Sequence, residues 1–152
     1  EAAIKIREVQ ESDLDSVIIL LQSISQYHPE FCAYKQIWEE FFLQESVVSL
    51  VAVKQRNETE KIVGYGSLSI ETKIRGGKMG HIEDVVVHSD YRREKIGSLI
   101  INSLLTQARN KNCYKVSLEG KEEKKEFYKS LDFVHSGITM SLLINTCRDP
   151  KC

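Results

Sequence analysis

Apolar residues recur along this chain with two periods, and the points where one period gives way to the other mark its elements. Ile4 and Ile6 against Lys5 and Arg7 set the alternation of a short strand over Ile4–Val9. Ser12, with Asp15 three residues on, has the chemistry of a helix N-cap, and Leu14, Val17, Ile18, Leu21 and Ile24 follow at helical spacing. The pattern predicts a helix to about Ser25, stopped before His28-Pro29. A second helix fits Ala33–Leu43, with Ile37, Trp38, Phe41 and Phe42 as its apolar face. Val47–Val53 and Ile62–Glu71 then read as two strands joined through the polar turn Gln55–Lys61, and the glycine-rich stretch Arg75–Gly80 parts them from the next strand.

That strand, His81–His88, carries Val85-Val86-Val87, a run suited to a central position covered on both faces. It also carries Glu83-Asp84. Adjacent residues of a regular strand point to opposite faces, so either one carboxylate faces the protein or the backbone bulges. Ile96–Arg109 is the clearest helix, with Leu99, Ile100, Leu104, Leu105 and Ala108 on one stripe. Tyr114–Leu118 reads as a strand, Glu122–Leu131 as a short helix carrying Phe127 and Tyr128, and Phe133–Ile144 as closing strand structure. The order implies an α/β (α+β) domain with a mixed central sheet flanked by helices, not a doubly wound one.

Composition narrows the partners. With 152 residues and 41% hydrophobic content, residues 1–152 suit one domain with a real core. The 21 basic and 22 acidic side chains nearly cancel, so no global field draws the protein to nucleic acid or an anionic membrane, and any anion site must be local. No apolar run reaches the roughly 20 residues of a spanning helix, and residues 1–7 lack the build of a secretory leader. The expected setting is cytoplasmic, without membrane insertion. Cys32, Cys113, Cys147 and Cys152 show no CxxC pair and no spacing with histidine, so they read as reduced thiols, and no metal is expected.

The local anion site has a candidate. Ser89-Asp90-Tyr91-Arg92-Arg93-Glu94-Lys95-Ile96-Gly97 joins a strand to a long helix, and unpaired N–H groups at a helix start bind phosphate oxygens. This loop resembles the acyl-CoA pyrophosphate loop of the GNAT acetyltransferase superfamily, whose pattern is Arg or Gln, two residues, Gly, one residue, then Gly or Ala. Arg92 and Gly97 match it, and Lys95 stands at the first glycine position. Gly80-His81-Ile82-Glu83-Asp84-Val85-Val86-Val87, Cys113-Tyr114-Lys115-Val116, Leu118-Glu119 and Phe127-Tyr128-Lys129 occur in the order and spacing of the eukaryotic glucosamine 6-phosphate N-acetyltransferases. The likeness is strong from about Ile62 to Phe133.

What the resemblance implies is a GNAT acyl-CoA N-acyltransferase fold, acetyl-CoA as cosubstrate, an amino-sugar phosphate as acceptor and a homodimer. It assigns acetyl-CoA to Val85, Val86, Val87, Arg92, Arg93, Lys95, Ile96, Gly97, Ser98 and Tyr128. It places Glu83 and Glu119 at the acceptor amine; beside them, Asp84 in the same strand, the basic residues Lys73, Arg75 and Lys115, and Ser25 on the first helix are the further candidates for binding the acceptor. Glu83 and Glu119 flank the amine, the choice of base between them staying open, and Tyr128 is the proton donor to the leaving thiolate. A phenol, with a pKa of about 10, is a weak acid suited to that step.

Besides Lys95, the sequence departs from the family at four further places: Gly120 for Cys or Ser, Lys124 for Asn, Asp132 for Gly, and Leu142-Leu143-Ile144 where a basic residue holds the sugar phosphate across a dimer. Arg148 is the nearest candidate for that role. Two other readings stay open: a GNAT enzyme acting on a protein lysine, an N-terminus or another small amine, and a GNAT-fold binding protein with weakened turnover.

Overall fold

A computed structural model describes residues 3–148, so Cys152, read from the sequence as a thiol, lies outside the described residues. One five-stranded sheet runs in the order β1 (Ile4–Glu8), β2 (Val47–Arg56), β3 (Thr59–Thr72), β4 (Lys78–Val87) and β5 (Cys113–Leu118). The first four strands are antiparallel to their neighbours, and β5 lies parallel to β4. Helix α1 (Leu14–Leu21) packs on one face, against β3 and β4, and α3 (Ile96–Asn110) covers the other. Helices α2 (Tyr34–Phe42) and α4 (Lys125–Ser130) complete the set. The mixed sheet predicted from the element order is the one observed.

The core sits under α3. Ile96, Ile100, Ile101 and Leu104 are fully buried, each such side chain contributing about 1.5–3 kcal/mol. Leu99, expected on the same stripe, is 43% exposed, because the buried arc is centred on positions 96, 100, 101, 104 and 108. Close approach needs missing side chains on β3: a Cβ on Gly66 would stand 2.6 Å from Ile100 Cγ2, and one on Gly64 2.7 Å from Ile100 Cδ1.

Several boundaries move from their predicted places. The hairpin turn is only Asn57-Glu58, since Arg56 pairs with Thr59, and Asn57 takes the left-handed conformation (φ 58°) that a two-residue turn of this kind requires. Ser12 is not the helix cap. A 3-10 turn, Glu11–Asp13, precedes α1, and Gln10 and Asp13 form a reciprocal box with Gln10 N–H donating to Asp13 Oδ2 at 2.8 Å. Helix α1 ends at Leu21 instead of Ser25 as the chain tightens into turns. No strand forms over Phe133–Ile144, and Val134, Ile138, Met140, Leu142, Leu143 and Ile144 are all largely exposed. Cys32 is held in a disulfide, whereas Cys113 and Cys147 are free. Cys32 is therefore not the reduced thiol that the sequence reading expected, and the cytoplasmic expectation loses that part of its cysteine argument.

Asp13 also ties β1 to the helix layer. Arg7 donates to it twice, at 2.7 and 3.0 Å, and to Glu60 Oε2 at 3.1 Å. Burial opposes ionisation of Asp13, but the Arg7 and Gln10 hydrogen bonds outweigh it and hold the carboxyl below its usual range. A carboxyl lowered by folding adds stability above its unfolded pKa and loses it as pH falls through the folded value. Asp13→Asn should therefore cost on the order of 2 kcal/mol at neutral pH, with a flatter acid limb of stability, read by denaturant unfolding at a series of pH values. A loss under about 0.5 kcal/mol would show this pair to be ordinary surface charge.

Candidate active site

The site begins where the ladder between β4 and β5 stops. Parallel pairing runs from Lys78 opposite Cys113 to Ile82 opposite Leu118 and goes no further. Strand β4 continues to Val87 whereas β5 ends at Leu118, so Glu83–Val87 have no partner on that edge and a cleft opens between the strands. At the same level the register with β3 jumps from Ser67 opposite Glu83 to Tyr65 opposite Val86, leaving Asp84 and Val85 out of the ladder against Gly66. This is a bulge, and Asp84 adopts φ 57° in it, a left-handed conformation costing a non-glycine residue about 1–2 kcal/mol.

The bulge answers the question posed by two adjacent acids. Ile82 and Val85 both pack toward the α3 core, and Val86 packs toward α1. Glu83 stands opposite Ser67 on the α1 side, and the charges of both Glu83 and Asp84 reach the Tyr65 hydroxyl, also on that side. Both carboxylates are exposed there. Protein atoms crowding Asp84 nonetheless push its carboxyl above the usual range, with the nearby Arg148 charge pulling the other way.

Beneath them lies a hydroxyl cluster that the motif reading passed over. Tyr65 Oη is 3.0 Å from Ser49 Oγ, which donates to Ser67 Oγ at 3.1 Å, all three residues being buried. Burial raises the Tyr65 phenol, the serine hydrogen bonds pull it back, and the Asp84 and Glu83 charges push it up again. The signal was in β3, where Tyr65, Ser67, Ser69 and Glu71 alternate with Gly64, Gly66, Leu68 and Ile70. Such a strand has one polar face, and its Tyr65 packs beside α1.

Across the cleft, Glu119 follows the last residue of β5 and is exposed. Tyr128 is half-buried on α4, its ring 5.3 Å from that of Phe127 and 6.3 Å from that of Phe133. The ring lies so close over Gly120 that a Cβ there would fall within it. Burial raises the Tyr128 phenol, which therefore stays protonated in neutral solution.

At the mouth of the cleft, Ser89–Tyr91 forms a 3-10 turn, with His88 Nδ1 accepting from Asp90 N–H at 3.1 Å. Arg92, Arg93 and Lys95 follow, all exposed, and Lys95 takes φ 60° at the N-cap of α3. No side chain caps that helix and no acid stands in its first turn. Glu94 is turned toward Lys54, 3.2 Å away. Ile96 is fully buried, so only its backbone can serve the loop, and Gly97 and Ser98 are half-buried.

The remaining expected acceptor residues divide into two groups. Lys73, Arg75 and Lys115 gather around Tyr114 at the other end of the β4–β5 ladder: Arg75 donates to Tyr114 Oη at 3.4 Å, Lys115 Nζ is 6.0 Å from the ring, and the Lys73 charge also reaches the hydroxyl. Lys73 is paired with Glu71. Ser25, just past α1, accepts from Tyr27 N–H at 3.3 Å, and Arg148 stacks 4.1 Å from the Tyr27 ring. An open groove of about 430 Å³ lined by Arg7, Asp13, Glu60, Lys61 and His88 includes no residue of β5 or α4. Its floor is the Arg7–Asp13–Glu60 ion-pair group, a structural feature.

Comparison with known proteins agrees with this geometry. The model of the acetyltransferase (GNAT) family matches residues 14–133. The glucosamine 6-phosphate N-acetyltransferase of Trypanosoma brucei brucei is 36% identical over 132 residues, which are 86% of this chain and 88% of that protein. Glucosamine 6-phosphate N-acetyltransferase 1 of Dictyostelium discoideum is 41% identical over 88 residues, 57% of this chain and 56% of the relative. The crystal structure of glucosamine-6-phosphate N-acetyltransferase from Arabidopsis thaliana superposes with a TM-score of 0.81 at 30% identity, covering 94% of this chain and 99% of that one. With its splayed strands, bulged β4 and basic loop before α3, the chain belongs to the acetyltransferase (GNAT) family.

Proposed function

We propose that this protein transfers the acetyl group of acetyl-CoA to the amine of glucosamine 6-phosphate, by direct attack with both substrates bound. The observation that carries the reading is the cleft, which has Glu83 and Asp84 on its β4 side and Glu119 and Tyr128 beyond the end of β5, with an exposed basic segment before α3 at its mouth. The loop suits a pyrophosphate: the first N–H groups of α3 are claimed by no side-chain cap, and basic residues precede them. The backbone of Asp84 and Val85, out of the β3 ladder, supplies N–H groups for a thioester carbonyl and the oxyanion that develops from it.

In this mechanism the acceptor amine, held by Glu119 and relieved of a proton at Glu83, attacks the thioester carbon. The C–S bond then breaks, its electron pair leaves on sulfur and takes the Tyr128 hydroxyl proton, and the phenolate so formed recovers the proton that the new amide nitrogen releases. Arg148, whose charge reaches the Asp84 carboxyl, is our candidate for the sugar phosphate. Lys95 and Asp132, which stand where relatives have glycine, both keep a left-handed backbone, at φ 60° and 70°. The turns glycine would make are thus preserved, which favours an active enzyme over a weakened binding protein.

The homodimer is part of the proposal. Ile138, Met140, Leu142 and Ile144 alternate with Thr139, Ser141 and Leu143 in an exposed segment with a strand's pattern, and β5 is an edge strand of the sheet. A second copy satisfies both, by strand addition. Sedimentation at micromolar concentration should give a dimer, and Ile138→Glu with Leu142→Glu a folded monomer. A monomeric, fully active parent would end this reading.

Acetyl transfer is tested by thiol release with glucosamine 6-phosphate, glucosamine, glucosamine 1-phosphate and a lysine peptide. The first should be preferred; a preference for the peptide would move the enzyme to another acceptor. In the same assay Tyr128→Phe should keep its folding and the KM for acetyl-CoA while kcat falls about 10²–10⁴-fold, the range of a general acid. A stable variant within about threefold of the parent would make Tyr128 a packing residue only.

Exchanging Arg92 and Arg93 together for glutamate places two negative charges at the loop. The KM for acetyl-CoA should rise at least about tenfold, from losing two charge-assisted contacts, with little change in the KM for the acceptor. An unaltered KM for acetyl-CoA would remove the pyrophosphate from this loop.

A further inference from the structure

Below the divergence of β4 and β5, on the open polar face, His81 stands opposite Ser117, with Nδ1 3.1 Å from Ser117 Oγ. Two residues along β4, in regular register with β3, comes Glu83, and two residues along from Ser117 comes Glu119. Residues i and i+2 of a strand share a face about 6.6 Å apart, so the imidazole and hydroxyl lie beside the Glu83 carboxylate, with Glu119 just past the end of β5. The sequence alone offered no role for His81, because no second metal-binding group accompanies it. What accompanies it is a hydroxyl on the neighbouring strand.

We propose that His81 is a proton acceptor of the acceptor site and that Ser117 is its positioning residue. This rests on the reading of the cleft as an acetyl-transfer site. An amine that arrives as an ammonium must lose a proton before its lone pair can attack. The N–H bond breaks with its electrons left on nitrogen, and the proton passes by way of Glu83 to His81 Nε2. For Nε2 to hold a free lone pair, Nδ1 must carry the ring hydrogen and donate it to Ser117 Oγ, the tautomer that the 3.1 Å contact allows.

The charged groups around the ring form a graded set. Glu83 lies two residues along β4, Lys115 stands on β5 and Glu119 just past its end, and Glu71 on β3, whose carboxyl feels the His81 charge, is itself paired with Lys73. Imidazole is the side chain that exchanges protons most readily in the neutral range, which a carboxylate alone does not do.

The test is the pH profile of kcat/KM for the acceptor in His81→Asn, His81→Gln and Ser117→Ala, with folding checked by thermal melting. The histidine variants should lose at least about tenfold in kcat/KM at neutral pH, recover part of it at high pH where the free amine needs no acceptor, and leave the KM for acetyl-CoA unchanged. Ser117→Ala should show a smaller loss of the same shape. Folded histidine variants with the parent's profile, or a loss equal at every pH, would overturn the inference while leaving acetyl transfer intact. Should the histidine variants fail to fold, Ser117→Ala decides alone, and a parental profile in it overturns the pairing. A parent that acetylates none of the acceptors would overturn the underlying reading and this inference with it.

Discussion

The candidate site of this protein depends on two strands that stop pairing. The β4–β5 ladder lasts as far as Ile82 and Leu118, and the half of β4 beyond it would expose a row of unpaired N–H groups. A buried polar backbone without partners is costly, so an interrupted parallel ladder persists only when the surrounding structure holds it open. Here the support is α3, which runs between the two strands in sequence and packs on both. Gly64 and Gly66 let that helix sit close to the sheet, the bulge then falls opposite Gly66, and the basic loop arrives at the mouth of the gap.

The scaffold was legible where periodicity was strong. Helix α3 and the hairpin strands came through within a few residues, since a stripe or an alternation marks which face is buried. The bulge was legible as a dilemma, Glu83 next to Asp84 in an otherwise apolar strand, and the structure resolves it by putting both on one side. What stayed hidden were relations between segments. Asp13 capping Gln10 while gripping Arg7, the disulfide at Cys32, and His81 beside Ser117 are each a meeting of residues that no local pattern announces.

The departures from the family pattern have physical accounts of different kinds. Lys95 and Asp132, at positions where the family pattern has glycine, both take the left-handed backbone that glycine would adopt most easily, accepting strain to make the turns. Gly120 works in the other direction, giving up a side chain so that the Tyr128 ring can lie against β5. Nothing in the structure explains Lys124.

The exposed segment after Phe133 has a further consequence for the protein as a colloid. Between His135 and Arg148 it carries no charged side chain, so it lacks the gatekeepers that usually guard a β-forming stretch. The whole chain bears a formal net charge of only −1, so repulsion between molecules offers little protection in its place. Whatever shields that stretch from irregular association must therefore be shape and pairing, and the solubility of the protein becomes a property of how fast and how faithfully that pairing forms.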